Sequence, residues 1–255
     1  MPDLILHSTE GAVTTLTLNR PDKRNALSVD LLAQLAAAVR ASEQDTTQRV
    51  LVLRGAGTVF CSGLDLAEAA EPERAHRSAE GVAHALRALA TTRLITIAAV
   101  QGAAIAGGAG IMSACDFAVA TADAKFGYPE IRRGLAPALI MTFLRRQLHE
   151  RDARELLLLG KLIDARRALE IGLVNRVAAD ATALETEVRT ITSSLLQGAP
   201  AALAETKKLL ADLWPSPLAH DLDAAHAFHL AARESPEAHE GIAAFLEKRA
   251  PKWTK

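Results

Sequence analysis

The stretch Leu94-Ile-Thr-Ile-Ala-Ala-Val-Gln-Gly-Ala-Ala-Ile-Ala-Gly-Gly-Ala-Gly-Ile-Met-Ser-Ala-Cys115 carries no charged side chain across its 22 residues. That length alone would cross a bilayer. Thr96, Gln101, Ser113 and the glycines at 102, 107, 108 and 110 argue against a span. Leu94 to Val100 is apolar without alternation and rich in β-branched residues, the pattern of a strand buried on both faces. The glycine- and alanine-rich half that follows reads as a turn opening a helix near Gly108. A buried strand feeding a turn and a helix is the building unit of an α/β fold.

The flanking segments fit around that unit. Leu4–Leu6 and Val13–Leu18 are apolar runs parted by Glu10-Gly11, which predicts a hairpin over residues 3–18. Ser28 is placed to cap a helix of about sixteen residues with Leu31, Leu32, Leu35 and Val39 on one face. Arg49–Arg54 encloses a second buried strand; a glycine-bearing loop, 55–66, and a polar helix from Glu71 to Ala90 follow. Beyond the central stretch, Asp116–Ala120 reads as a strand. Helices are expected at 138–148, 151–159 and 165–171, with Gly172–Asn175 as a short extended return. From Ala181 onward every segment looks helical: 181–197, 200–213, 219–232 and 236–249. Residues 1–197 thus form a mixed α/β core and 198–255 an all-helical region, with no linker, low-complexity tract or internal repeat between them.

Composition narrows the function classes. A chain of 255 residues can build its core without a disulfide or metal staple. Alanine, about one residue in five, inflates the 49% hydrophobic content. Twenty-nine basic against 30 acidic side chains leave a net charge of −1, so a broad basic surface for nucleic acid is excluded. Cys61 and Cys115 lie far apart, which points to a reducing compartment and to small buried side chains, not nucleophiles. Met1-Pro2-Asp3 offers neither the basic nor the apolar part of a secretory signal, and a cytoplasmic location is expected. No metal site is expected either: the chain lacks HExxH and any zinc-like Cys/His spacing. Gly55-Ala56-Gly57 has Phe60 where a dinucleotide loop needs glycine, no glycine run leads to GKS or GKT, and Ser62 lacks the glycines of a nucleophile elbow.

Two segments carry chemistry: Phe60-Cys61-Ser62-Gly63-Leu64-Asp65-Leu66 and Gln101-Gly102-Ala-Ala-Ile-Ala-Gly107-Gly108-Ala-Gly110, each on the loop after a buried strand. Glycine there lets backbone approach a ligand without a Cβ in the way. A helix starting near Gly108 aims free N–H groups at the same place. Two converging backbone donors form an oxyanion hole for charge developing on a carbonyl oxygen.

With Arg20-Pro21-Asp22-Lys23-Arg24-Asn25-Ala26-Leu27, Cys115-Asp116, Phe126-Gly127-Tyr128-Pro129-Glu130, Ala165 to Val174 and Ala244-Phe245-Leu246-Glu247-Lys248-Arg249, these segments resemble, in order, the enoyl-CoA hydratase/isomerase (crotonase) family. The resemblance implies a spiral of ββα units, with the C-terminal helices used to assemble trimers or dimers of trimers. It implies that the N–H groups of Leu64 and Gly107 hold an acyl-CoA thioester carbonyl, and that Glu130 is a catalytic acid/base. Lys23, Arg24, Ala26, Ser62, Leu64, Asp65, Leu66, Gly107 and Gly108 would contact substrate, with Asp65 a structural member of its loop. Lys248 would reach the CoA phosphate from a neighbouring subunit. Coenzyme A would arrive as part of the substrate, with no cofactor permanently bound.

The sequence departs from the family pattern in two places that matter. Gly110 stands where hydratases of the family carry a second glutamate, and Ala136-Pro137-Ala138-Leu139-Ile140-Met141 replaces a glycine-rich run. Hydration of a 2-enoyl thioester needs both a base at C3 and an acid at C2, whereas moving a double bond needs one carboxylate. The leading expectation is an enoyl-CoA hydratase; members with the Arg132–Ala138 segment and a small residue at 110 fit that wider pattern. A double-bond isomerase using Glu130 alone is the alternative, and a non-catalytic acyl-CoA-binding scaffold the third reading. Glu130 is expected to have a raised pKa in an apolar pocket. Glu68 is the reserve candidate for a second acid. Arg132 and Arg133 read as surface charges, the alternative being that one meets a substrate carboxylate. The histidines read as structural or exposed.

Overall fold

The computed structural model describes residues 3–69, 72–213 and 218–252; Met1, Pro2 and Glu71, named above, lie outside them. Strands β1 (Ile5–Glu10) and β2 (Val13–Leu18) form the expected antiparallel hairpin. Helix α1 (Val29–Gln44) starts at Ser28, whose side chain accepts from the Leu31 N–H. Then come β3 (Val50–Gly55), α2 (Leu66–Ala69), α3 (Pro72–Thr91), β4 (Ile95–Val100), β5 (Ala103–Ile105), α4 (Gly107–Ser113), β6 (Phe117–Thr121) and β7 (Lys125–Gly127). The remainder is α5 (Ala138–Gln147), α6 (Glu150–Leu159), β8 (Ile163–Asp164), α7 (Ala165–Glu170), β9 (Arg176–Ala178), α8 (Ala181–Leu196), α9 (Pro200–Leu213), α10 (Leu218–Arg233) and α11 (Pro236–Leu246).

Six strands form one sheet in the order β1-β2-β3-β4-β6-β9, parallel from β2 onward. Alternate residues serve opposite faces. Leu51, Leu53, Ala98 and Val100 join the main core, while Val50, Val52, Ile97, Ala99 and Val119 pack with Leu184, Val188 and Ile191 of α8. Burial on both faces explains why the central stretch is uniformly apolar.

A smaller sheet, β5-β7-β8, stands beside the first. Cys61 bridges Ala104 in parallel, and Ala104 pairs with Phe126. Each turn of chain thus runs from a strand of the large sheet to a rung of the small ladder and on into a helix, a repeated ββα spiral. Sequence reading passes over β5, treating 102–105 as part of the turn; Ala103 and Ile105 are only half-buried in a three-residue strand, too short to show a period. Two other expectations shift. Gly172–Asn175 is a turn, the extended return being β9, and the last helix ends at Leu246 because Lys248 takes a left-handed φ of 53°.

The C-terminal helices cover their own chain. Lys207 of α9 is buried, bonds Asp116 Oδ2 at 2.7 Å and donates to the Leu94 carbonyl at 2.8 Å. Leu218 and Leu222 of α10 belong to the main core, and α10 packs on α5 and α3. Ala238 and Ile242 of α11 pack on Leu135. α5 and α3 leave an apolar face that α10 fills.

Candidate active site

The segment Arg20–Leu27 acts as a clamp on the first glycine loop. Arg24 and Asn25 both adopt left-handed φ, 51° and 54°, and Asn25 is fully buried. Its amide donates to the Ala56 and Val59 carbonyls at 2.9 and 2.8 Å, and its carbonyl oxygen accepts from the Arg20 N–H at 2.9 Å. The Ser62 N–H donates to the Arg24 carbonyl at 3.1 Å, and Arg20 pairs with Asp65 at 3.1 Å. Asp65 is therefore held as a loop member, as the family resemblance implied.

Leu64 bridges Leu27 through the Leu27 N–H to the Gly63 carbonyl and the Asp65 N–H to the Leu27 carbonyl. That pairing leaves the Leu64 N–H without a backbone acceptor among the described residues. The Gly107 N–H, at the first position of α4, is likewise free. The two amides lie side by side: a Cβ added to Gly107 would sit 3.8 Å from Leu64 N, and one added to Gly63 would sit 3.6 Å from Gly107 N. Gly108 is glycine for another reason, since its Cβ would fall 2.5 Å from the Cys61 carbonyl oxygen. Ala106, between β5 and α4, holds the sparsely populated φ 50°, ψ −124°. Bonds from Ala106 N–H to the Gly127 carbonyl and from Gly110 N–H to the Ala106 carbonyl fix it there. Nothing in an alanine marks such strain in the sequence.

These donors open onto a cavity of about 540 Å³. Lys23, Arg24, Ala26, Ser62, Leu64, Asp65, Leu66, Gly107 and Glu130 all line it. Gly108 and Lys248 do not: Gly108 turns toward Cys61, and Lys248 lies past α11. Cys61 and Cys115 are buried, and burial pushes both thiols up to about 12, which leaves them inert. Glu68 is not a second acid. It accepts from the Val29 N–H at 2.8 Å and pairs with Arg74 at 3.2 Å, capping α1.

Glu130 sits on a one-turn 3-10 segment, Pro129–Arg133. Its Oε2 is buried with no hydrogen-bond partner among the described residues. Desolvation raises its pKa to about 7, against which a backbone hydrogen bond and the Arg133 charge pull only partly. The segment is gripped by α11: a Cβ at Gly134 would strike the Glu237 carbonyl at 2.1 Å, and one at Gly241 would strike the Arg133 carbonyl at 2.1 Å. Only paired glycines allow backbone to approach backbone so closely.

At Gly110 the space of a side chain is taken by Ile140, whose Cγ1 would lie 2.8 Å from an added Cβ. Where the resemblance would place a second carboxylate, the cavity is thus lined by the apolar Ile140. The rest of that wall departs from the main sequence reading, which took Arg133 as a surface charge, and is nearer its alternative of an arginine facing substrate. Arg133 lines the cavity with its guanidinium 4.5 Å above the Phe245 ring, and His229, read from sequence as structural or exposed, lines it from α10. Phe245 and Leu246 of α11 complete it.

The sequence model of the enoyl-CoA hydratase/isomerase family matches residues 8–255. The chain is 34% identical to the 2,3-dehydroadipyl-CoA hydratase of Escherichia coli, covering 98% of each protein. It is 32% identical to an enoyl-CoA isomerase/hydratase of Mycosarcoma maydis, covering 94% of this chain and 91% of that one. The crystal structure of an enoyl-CoA hydratase from Mycobacterium avium superposes with a TM-score of 0.86 at 37% identity, covering 99% of this chain and all of that one. The paired amide donors, the buried glutamate and the ββα spiral that holds them are therefore those of an enzyme that belongs to the enoyl-CoA hydratase/isomerase family.

Proposed function

We propose that this enzyme hydrates a 2-enoyl-CoA to a 3-hydroxyacyl-CoA with Glu130 as its one acid/base group. The observation that carries the reading is a carboxyl with an unpartnered buried oxygen and a pKa of about 7, lining the same cavity as two free backbone N–H groups. With Glu130 protonated, one carboxyl oxygen gives its proton to C2 while the other takes a proton from the water whose oxygen bonds C3. Charge on the thioester oxygen is held between Leu64 and Gly107. Coenzyme A comes with the substrate, Lys23 and Arg24 at the exposed mouth meet its phosphates, and no resident cofactor is required.

Ile140 in the place of a second carboxylate favours a second reading, double-bond isomerisation, in which ionised Glu130 takes a proton from C4 or C2 and returns it to the other. Loss of the conjugated thioester absorbance from a 2-enoyl-CoA, with a 3-hydroxyacyl product, tests hydration. Appearance of that absorbance from a 3-enoyl-CoA identifies the isomerase. Neither change, with CoA esters still bound, would leave a scaffold. The same reading places the protein in the cytoplasm as a trimer or dimer of trimers. Leu209, Leu210, Leu213 and Phe228 stay exposed on α9 and α10 in support of assembly, and sedimentation at working concentration tests it.

A further inference from the structure

Around the cavity, among the described residues, three polar atoms are buried without a partner: Glu130 Oε2, Arg133 Nε and His229 Nε2. The first belongs to the chemistry above. Arg133 has its guanidinium stacked on Phe245 and a long Nη1 bond of 3.4 Å to the Pro129 carbonyl. His229 has no part in the reaction, yet it enters from the wall that α10 forms against α3 and α5.

The ring of His229 is held through a hydrogen bond to the Ala136 backbone. Because Nε2 is the unpartnered nitrogen, that bond belongs to Nδ1, which carries the proton and leaves a lone pair on Nε2. The surroundings oppose a second proton. Burial, Arg233 and His226 on the same helix push the imidazole down to about 4. Val82, Leu139, Phe245 and Leu246 of the same lining are apolar, and the charged Arg133 is stacked on Phe245. The lone pair is already dry, so a plain alkyl chain gains nothing from it, whereas a ligand that supplies a donor gains a hydrogen bond at a buried acceptor. A carboxylate brings only further lone pairs. A hydroxyl brings the missing proton.

Resting on the acyl-CoA reading of this cavity, we propose that His229 is a specificity-determining residue, whose Nε2 accepts a hydrogen bond from a hydroxyl carried on the acyl group beyond the carbons that react. The substrate class is then a hydroxylated acyl-CoA.

The experiment is calorimetric titration of the full-length protein with saturated acyl-CoA esters of matched length ending in methyl, hydroxyl or carboxylate, across short and medium chains. Saturated esters cannot turn over, so binding is read apart from catalysis. The hydroxyl ester should bind about tenfold or more tighter than the methyl ester at the length that reaches His229. That ratio should collapse toward one in His229→Leu and survive in part in His229→Gln, whose carbonyl is again an acceptor. Equal binding of methyl and hydroxyl esters by the wild type, tightest binding of the carboxylate ester, or a ratio unchanged in His229→Leu overturns the proposal. Failure of all three esters to bind sinks the acyl-CoA reading beneath it.

Discussion

The two walls of the cavity are built by different means. One is backbone: the amides of Leu64 and Gly107, set by segments 24–27, 61–65 and 103–108, which hydrogen-bond directly to one another. The other is side chain: Glu130, Ile140, Arg133 and His229, positioned by packing of α5, α10 and α11. Backbone donors depend on glycine and chain direction, and they tolerate almost any side chain at Leu64. The side-chain wall depends on what fills each volume, so one residue exchanged for another of different size or charge changes the reaction. A family can therefore keep its first wall and vary its second.

The sharpest break is Glu130→Gln, which keeps shape and removes the titrating group. Turnover should fall by about 10²–10⁴-fold with CoA-ester affinity nearly unchanged, as measured by steady-state kinetics beside titration calorimetry. Most of the activity surviving would move the acid/base role elsewhere. On the backbone wall, Leu64→Pro deletes one donor without breaking a structural bond. It should cost on the order of 10²–10³-fold in turnover, whereas Leu64→Ala, which keeps the N–H, should cost far less. Equal effects of the two would show that the side chain, not the amide, matters.

Gly110→Glu asks whether the missing carboxylate can be restored. Its side chain collides with Ile140, so overpacking should destabilise the fold by about 1–3 kcal/mol in urea titration. Combining it with Ile140→Ala should cost less than the sum of the two single changes. Strict additivity would mean that Ile140 does not occupy that space.

The pH profile separates the two reactions. Hydration through protonated Glu130 should lose kcat/KM by about tenfold per pH unit above about 7, while isomerisation through the carboxylate should lose it below about 7. The smallest effect is on stability. Since the folded-state pKa lies above the ordinary carboxylate value, Glu130 weighs nothing against the fold at low pH and costs stability as pH rises through about 7. Glu130→Gln should therefore gain about 1–3 kcal/mol on the wild type at pH 8 relative to pH 5, read from urea midpoints. An identical pH dependence in both proteins would show that Glu130 is not desolvated.

By itself the sequence determined most of the large elements and the backbone wall. Apolar runs named β3, β4 and β6, Ser28 named the start of α1, and the glycines at 63 and 107 marked where two segments bring free backbone N–H groups together. Those features are local: strand burial, capping and glycine each act within a few residues of the position that shows them. The tertiary structure alone decided the other wall. That Ile140 fills the room beside Gly110, that α11 grips the Glu130 turn through Gly134 and Gly241, that Glu68 is spent on capping α1, and that His229 faces the cavity are contacts between residues 30 to more than 100 apart in the chain. Periodicity cannot report them, because a helix shows in its sequence that one face is apolar but not which surface that face will meet.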